Sequence, residues 1–503
     1  MGRGKVELLW LLLIAFIVNF AVIYGRKMPV GANGGDTIIH MAMIRGIYLG
    51  RNPFLDQHYN VPPNWYPFLY HSLIAILAKF TSIPIWTLMI WTPLIFSIIM
   101  VFAWYKLGRE LNEKYGGLLL GSLSFLIMKS QLFPNPKALI PIFLSASYLA
   151  FLRYYRDWKK KHLGYAGLFL GLMMWTHYGV ALPVLIAILL YSLFKFKEEK
   201  SLVLVPIIAL VIFSPFIINV IANIEDGASL MVEGWNVASL SLSNTIRRIF
   251  PPVWGAILIL LSLLYMNKAQ DRIFWNFVLF VVIGIIGVNL LPSILFITTG
   301  IEIFPSRFAI SLHYTYLLLY LCAILGLVES KYIRGNKKLV TYLISLIFLV
   351  YGSLSFVHYN FHNPSAPPFL PNYTYVEFED LAGNYTRGLL IISSWIRNNT
   401  GRDDCLIGYP YTLEWIAGFT GRPVVAVSYG HGNPFLNMRQ RRHDIKEFFR
   451  DPSKRTAIAE KYGVKYVILD PYAREYYNVT VANFSDNFRV AFHWWEFYIL
   501  EVS

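Results

Sequence analysis

Charge is what this sequence has least of. Only 15% of its 503 residues are Asp, Glu, Lys or Arg, whereas a soluble globular domain carries about a quarter. That shortage excludes an ordinary soluble enzyme. Cysteine is scarcer still, with Cys322 in an apolar run and Cys405 near the C-terminus. Two cysteines so placed predict no disulfide and no cysteine-ligated metal centre. Acidic residues are short relative to basic ones, 29 against 44, which leaves a net charge of +15. A basic balance can signal nucleic acid, but these cations gather at the ends of apolar runs. Lys159-Lys160-Lys161-His162, Lys195-Phe196-Lys197 and Lys337-Lys338 are such clusters. They have the placement of cytoplasmic anchors under the positive-inside rule, so no nucleic-acid partner is expected.

Apolar length is what the chain has instead. Hydrophobic residues make up 56% of it, in runs of about 18–22 residues that suit a hydrocarbon core of ~30 Å. The first run, Glu7 to Tyr24, follows the basic start Gly2-Arg3-Gly4-Lys5. It predicts a retained first span with a cytoplasmic N-terminus. Later spans are expected near 66–80, 84–105, 116–132, 137–152, 163–177, 180–194, 201–222, 252–267, 274–296, 307–328 and 338–357. With a hidden crossing between Trp65 and Arg153, the expectation is about 13 transmembrane helices.

At residue 358 the texture changes to alternating apolar runs, turn residues and ordinary charge. Residues 358–503 therefore read as a soluble α/β domain of normal size. Five Asn-x-Ser/Thr sequons, at Asn372, Asn384, Asn398, Asn478 and Asn483, fall in this part. They place it on the extracytoplasmic side. The expected organisation is a membrane domain, 1–357, with a long first outer loop at 25–65, and then the outer domain.

The outer loop holds "GGDTIIH", Gly34 to His40. Residues 37–50 carry apolar side chains at helical spacing, with His40 and Arg45 off much of that stripe, which predicts an amphipathic helix lying in the membrane interface. Asp36 stands at its start, where a helix dipole favours a carboxylate. It is either a cap or a catalytic base. Further on, His71, Lys137, His177 and Arg307 interrupt apolar runs. Each costs free energy there unless paired, and each is predicted near the outer face. Several cations beside one acidic loop suit a negatively charged lipid headgroup.

Together these stretches resemble the GT-C superfamily of membrane glycosyltransferases. That group includes protein O-mannosyltransferases, aminoarabinose transferases and the oligosaccharyltransferase catalytic subunit. The resemblance rests on "GGDTIIHMAMIRG", "WYPFLYHSLIAIL", "KALIPIFLSASYLAFLRYY", "LFLGLMMWTHYGVALPVLIAILLY" and "FPSRFAISLHYTYLLL". It implies an inverting transferase that moves a sugar from a polyprenyl or dolichyl phosphate to a hydroxyl on a glycan, lipid or protein. Asp36 matches the loop acid that serves as base. Arg307, His71, Lys137, His40, Arg45 and His177 are the expected donor-phosphate ligands. The tail lacks the oligosaccharyltransferase Trp-Trp-Asp-Tyr-Gly motif, with "YTLEWIAGF" in a comparable place. With no second acidic cluster of metal spacing, no cofactor or catalytic metal is expected. Two rival readings remain at this point, a flippase for a lipid-linked sugar and a non-catalytic membrane subunit.

Overall fold

The computed structural model describes residues 3–26, 29, 36–131, 133–228, 241–299, 309–330, 333, 335–362, 384–428, 430–484 and 488–502. The chain divides into two compact units. One comprises Met1–Tyr24, Trp91–Pro215 and Asn236–Asn363; the other comprises Gly25–Ile90, Phe216–Trp235 and Pro364–Ser503. The loop after the first helix thus groups with the C-terminal part.

Helices run in the order α1 (Arg3–Ile23), α2 (Asp36–Tyr48), α3 (Leu69–Thr81), α4 (Ile85–Leu111) and α5 (Gly116–Leu123). They continue as α6 (Ile140–Asp157), α7 (Lys160–Phe194), α8 (Leu204–Ala222), α9 (Leu242–Ile249) and α10 (Val253–Met266). The last of this series are α11 (Arg272–Thr299), α12 (Ala309–Glu329) and α13 (Lys337–His362). Among the described residues eight helices are long and apolar enough to cross a membrane, or nine if α9 and α10, bent by 67°, form one broken span.

The count differs from the expected thirteen, and α3 and α7 account for two of the missing spans. α3 has 13 residues, which at 1.5 Å each gives about 20 Å, too short for a ~30 Å core. α7 conceals a reversal. A straight helix of its 35 residues would extend about 50 Å, yet Lys160 at its start lines one cavity with Glu198, Glu199 and Lys200 beyond its end. Tyr155 and Tyr191 are hydrogen-bonded at 3.3 Å, and the Ser192 hydroxyl donates to the Leu202 carbonyl. The chain folds back at His177, whose backbone is extended (φ −159°, ψ 90°). These two arms correspond to the spans expected at 163–177 and 180–194. No further helix between Trp65 and Arg153 is found among the described residues.

At one end of the first unit the polar helix ends converge. The Arg156 guanidinium is bidentate on Asp271 at 2.9 and 2.8 Å and also donates to the Glu110 carbonyl. The Asn112 amide donates to Glu329, whose carbonyl accepts from Lys337. The basic clusters of the sequence lie at this end of their helices. Bidentate Arg–carboxylate geometry is the strong form of such pairing.

In the second unit, β1 (Cys405–Ile407), β2 (Val464–Leu469), β3 (Phe488–Trp494) and β4 (Phe497–Val502) form one sheet in the order β1-β2-β4-β3. β1 and β2 are parallel; β4 is antiparallel to both its neighbours. Helices Pro410–Thr420, Met438–Arg450 and Arg455–Tyr462 lie between β1 and β2 in sequence, the helical crossover that a parallel pair requires. This is the expected α/β fold. α2 departs from expectation. Nine of its residues, from Thr37 to Gly46, are buried, because it packs against α3 and helix Pro410–Thr420. A helix apolar on nearly every side is an interior helix, so α2 is a core element of this unit rather than a surface helix in the interface.

Candidate functional site

The acid at the head of α2 meets two groups the sequence reading did not select. The side chain of Asp36 is 39% exposed, and its Oδ1 lies 3.6 Å from Nε2 of His431. The Nδ1 of the same imidazole lies 3.0 Å from Glu414 Oε1. Glu414 is buried on helix Pro410–Thr420, and its second oxygen accepts from the Ser428 hydroxyl. His431 follows Gly430, whose φ of +90° is the region that glycine enters without cost. Burial alone would pull His431 down; the carboxylates of Asp36 and Glu414 override it and lift the imidazole to about 10. At neutral pH it is a cation between two anions.

The remaining histidines of this unit are organised differently. His40 on α2 and His71 on α3 are buried, with Nδ1 and Nε2 3.0 Å apart. Tyr66 sits edge-on to both rings. One ring nitrogen donates and the other accepts, so the pair ties two helices together. Arg45, further along α2, is half-buried beside Gly421. Burial, then the nearby Arg397 charge, draw its guanidinium down to about 10. The loop that carries Asp56 and His58 is sealed. Asp56 Oδ1 accepts the His58 backbone N–H at 2.8 Å and Oδ2 accepts from Asn433 at 2.9 Å. Arg51 donates to Asp403, to the carbonyls of Gln57 and Gly421 and to that of Arg402. These contacts fix the loop after the first helix to the C-terminal part of the same unit.

The first unit has its own cavity, of about 550 Å³ and mostly apolar, whose polar lining includes Lys129, Asn135, Lys137 and His313. Lys137 reaches it from a short 3₁₀ turn, Pro136–Leu139, capped by the Asn135 side chain. Of the residues expected to bind donor phosphate, Lys137 lines this cavity and His177 sits at the reversal of α7. His40 and His71 are buried in the other unit and Arg45 is half-buried there. Arg307 lies outside the described residues, as do Gly34, Gly35 and Asn372. Among the described residues no group of three or more His, Cys, Asp or Glu side chains could hold a metal ion. His431 has a nitrogen toward each carboxylate, so the three side chains do not converge on one point.

Glu414, His431 and Ser428 went unselected, although two signals were present. Glu414 is the lone acid in "YTLEWIAGF", and a buried acid in an apolar helix demands a partner. His431 stands between two glycines in "YGHGN".

A unit of long apolar helices and a unit with a small α/β sheet define the class of fold: a polytopic α-helical membrane protein with a C-terminal α/β part. Its likeness to solved structures gives the chain the GT-C fold. Residues 66–219 match the family described as dolichyl-phosphate-mannose-protein mannosyltransferase. No curated protein matches the sequence. Among solved structures, the chain is similar to ArnT from Cupriavidus metallidurans, bound to undecaprenyl phosphate. That likeness has a TM-score of 0.57 at 11% identity and covers 99% of this chain and 98% of that one. It is also similar to the archaeal oligosaccharyltransferase AglB from Archaeoglobus fulgidus, in complex with an inhibitory peptide and a dolichol-phosphate. There the TM-score is 0.54 at 14% identity, over 94% of this chain and 70% of that one. The mycobacterial arabinofuranosyltransferase AftD gives 0.57 at 11% identity, over the whole of this chain but 40% of its own length.

Proposed function

We propose that the chain transfers a sugar, with inversion, from a polyprenyl-phosphate donor to a hydroxyl acceptor at the outer membrane face, with Asp36 as general base. The observation that carries this reading is the half-exposed Asp36 carboxylate, set beside the His431 cation. An acceptor hydroxyl is a poor nucleophile near neutral pH, and a positioned carboxylate is an ordinary base for it. The acceptor O–H proton passes to Asp36, the acceptor oxygen bonds to the anomeric carbon, and the bond from that carbon to the phosphate oxygen breaks. The polyprenyl phosphate leaves with that electron pair. Undecaprenyl and dolichol phosphates in the two similar structures support this choice of donor.

The helices support this orientation. The eight long helices, the second arm of α7, the α9–α10 pair and α5 give eleven crossings among the described residues. α5 is counted because it runs on as 3₁₀ helix through Gln131; at about 2 Å per residue the pair reaches nearly 30 Å. An odd number of crossings from a cytoplasmic N-terminus is what an outer Asp36 and an outer C-terminal part require.

The test is Asp36→Asn assayed with dolichyl-phosphate-mannose. Turnover is expected to fall by roughly 10²–10⁴-fold, the usual worth of a general base, while donor binding is retained. Near-normal mannose transfer by a folded Asp36→Asn protein would overturn the assignment.

A further inference from the structure

We infer that His431 and Glu414 are positioning residues for Asp36, forming a carboxylate–imidazolium–carboxylate chain that orients the base and keeps it able to accept a proton. The inference rests on Asp36 being that base. The geometry is asymmetric. Glu414 is buried, is 3.0 Å from Nδ1 and is itself fixed by Ser428. Asp36 is half-exposed and 3.6 Å from Nε2, an ion-pair separation longer than a hydrogen bond. The imidazole is thus anchored to the inner acid and presents its other face to the outer one.

Two acids sharing one cation solve an electrostatic problem. A lone cation beside Asp36 would stabilise its anion and so weaken it as a base. It would also be left unneutralised once Asp36 took a proton. Glu414 removes that penalty, because the imidazolium remains paired after the transfer. Before transfer the chain of three carries a net −1; after it, zero. Nothing buried is left uncompensated at either stage. The rise of His431 to about 10 fits this arrangement. Tyr59 also lies within electrostatic reach of Glu414, and burial keeps its phenol neutral.

The two residues have opposite effects, which separates positioning from mere support. His431→Gln leaves Asp36 facing Glu414 without the cation between them. The Asp36 pKa rises, and the acid limb of kcat/KM moves to higher pH. Glu414→Gln leaves the cation to Asp36 alone, and that limb moves to lower pH. Each shift is expected to be about one pH unit, the size an adjacent charge produces. The limbs are read from mannose release from dolichyl-phosphate-mannose by the full chain in detergent.

A second measurement needs no turnover. ¹⁵N-histidine NMR, with His431→Gln to assign the signal, is expected to show His431 doubly protonated at neutral pH and titrating near 10. In Glu414→Gln the titration is expected to fall toward the ordinary histidine range. A His431 that titrates near 6.5 overturns the inference, as do acid limbs that move in the same direction or not at all. If Asp36→Asn keeps its turnover, the base reading falls and takes this inference with it. If Asp36→Asn is inactive but the limbs stay put, the base stands and only the positioning role falls.

Discussion

Of the acid–imidazole pairs in the second unit, Asp56–His58 and Asp36–His431 could hardly be more differently housed. Asp56 and His58 are 3.3 Å apart with side-chain exposures of 0% and 1%. Asp36 and His431 are 3.6 Å apart with exposures of 39% and 21%. The chemistry is the same and the separation nearly so. What differs is where the remaining lone pairs go. Asp56 spends them on the His58 backbone and on Asn433, which also reaches the Pro63 carbonyl. Asp36 keeps part of its carboxylate open to solvent. A sealed pair is scaffolding and an open one can meet a substrate.

The strongest way to break this comparison is to strip the sealed acid. Asp56→Ala leaves buried donors without their acceptor and is expected to cost about 3–5 kcal/mol, read as a lowered Tm in detergent. A loss below about 1 kcal/mol would show that the sealed pair is not structural. Asn433→Ala removes one donor from Asp56 and one from Pro63, and about 1–3 kcal/mol is expected from such orphaned groups. Denaturant midpoints of the variant and the parent would measure it. The smallest effect sharpens the contrast. Asp36→Asn is expected to change stability by no more than about 0.5 kcal/mol, as half-exposed substitutions do, although it removes turnover. A large Tm drop in that variant would move Asp36 into the scaffold class.

Much of the fold was legible in the sequence because hydropathy reports span length directly. The α/β tail showed in its change of texture, and the head of α2 in "GGDTIIH". What the sequence hid depends on partners distant in the chain. That α2 is interior follows from helix Pro410–Thr420 packing over it, with Gly418 against Ile38; no local pattern contains that contact. His40 and His71 were read as donor-phosphate ligands, and no local pattern told that the fold sets their ring nitrogens 3.0 Å apart. Glu414 and His431 were missed because each looks ordinary until the fold sets it beside Asp36. The reversal at His177 went unrecognised as one continuous element, yet both of its arms were drawn.

The first arm of α7 has one more property. Gly167 and Gly171, one turn apart, face Ile208 and Ile212 of α8 so closely that an added methyl would stand 2.8 and 2.9 Å from their Cβ atoms. Apolar side chains gain little by leaving lipid for a neighbouring helix, so close backbone approach at small residues has to supply the association. Such a seam owes its strength to shape rather than to solvent. Exchanging the bilayer for detergent leaves it intact, whereas a single added carbon would wedge it apart.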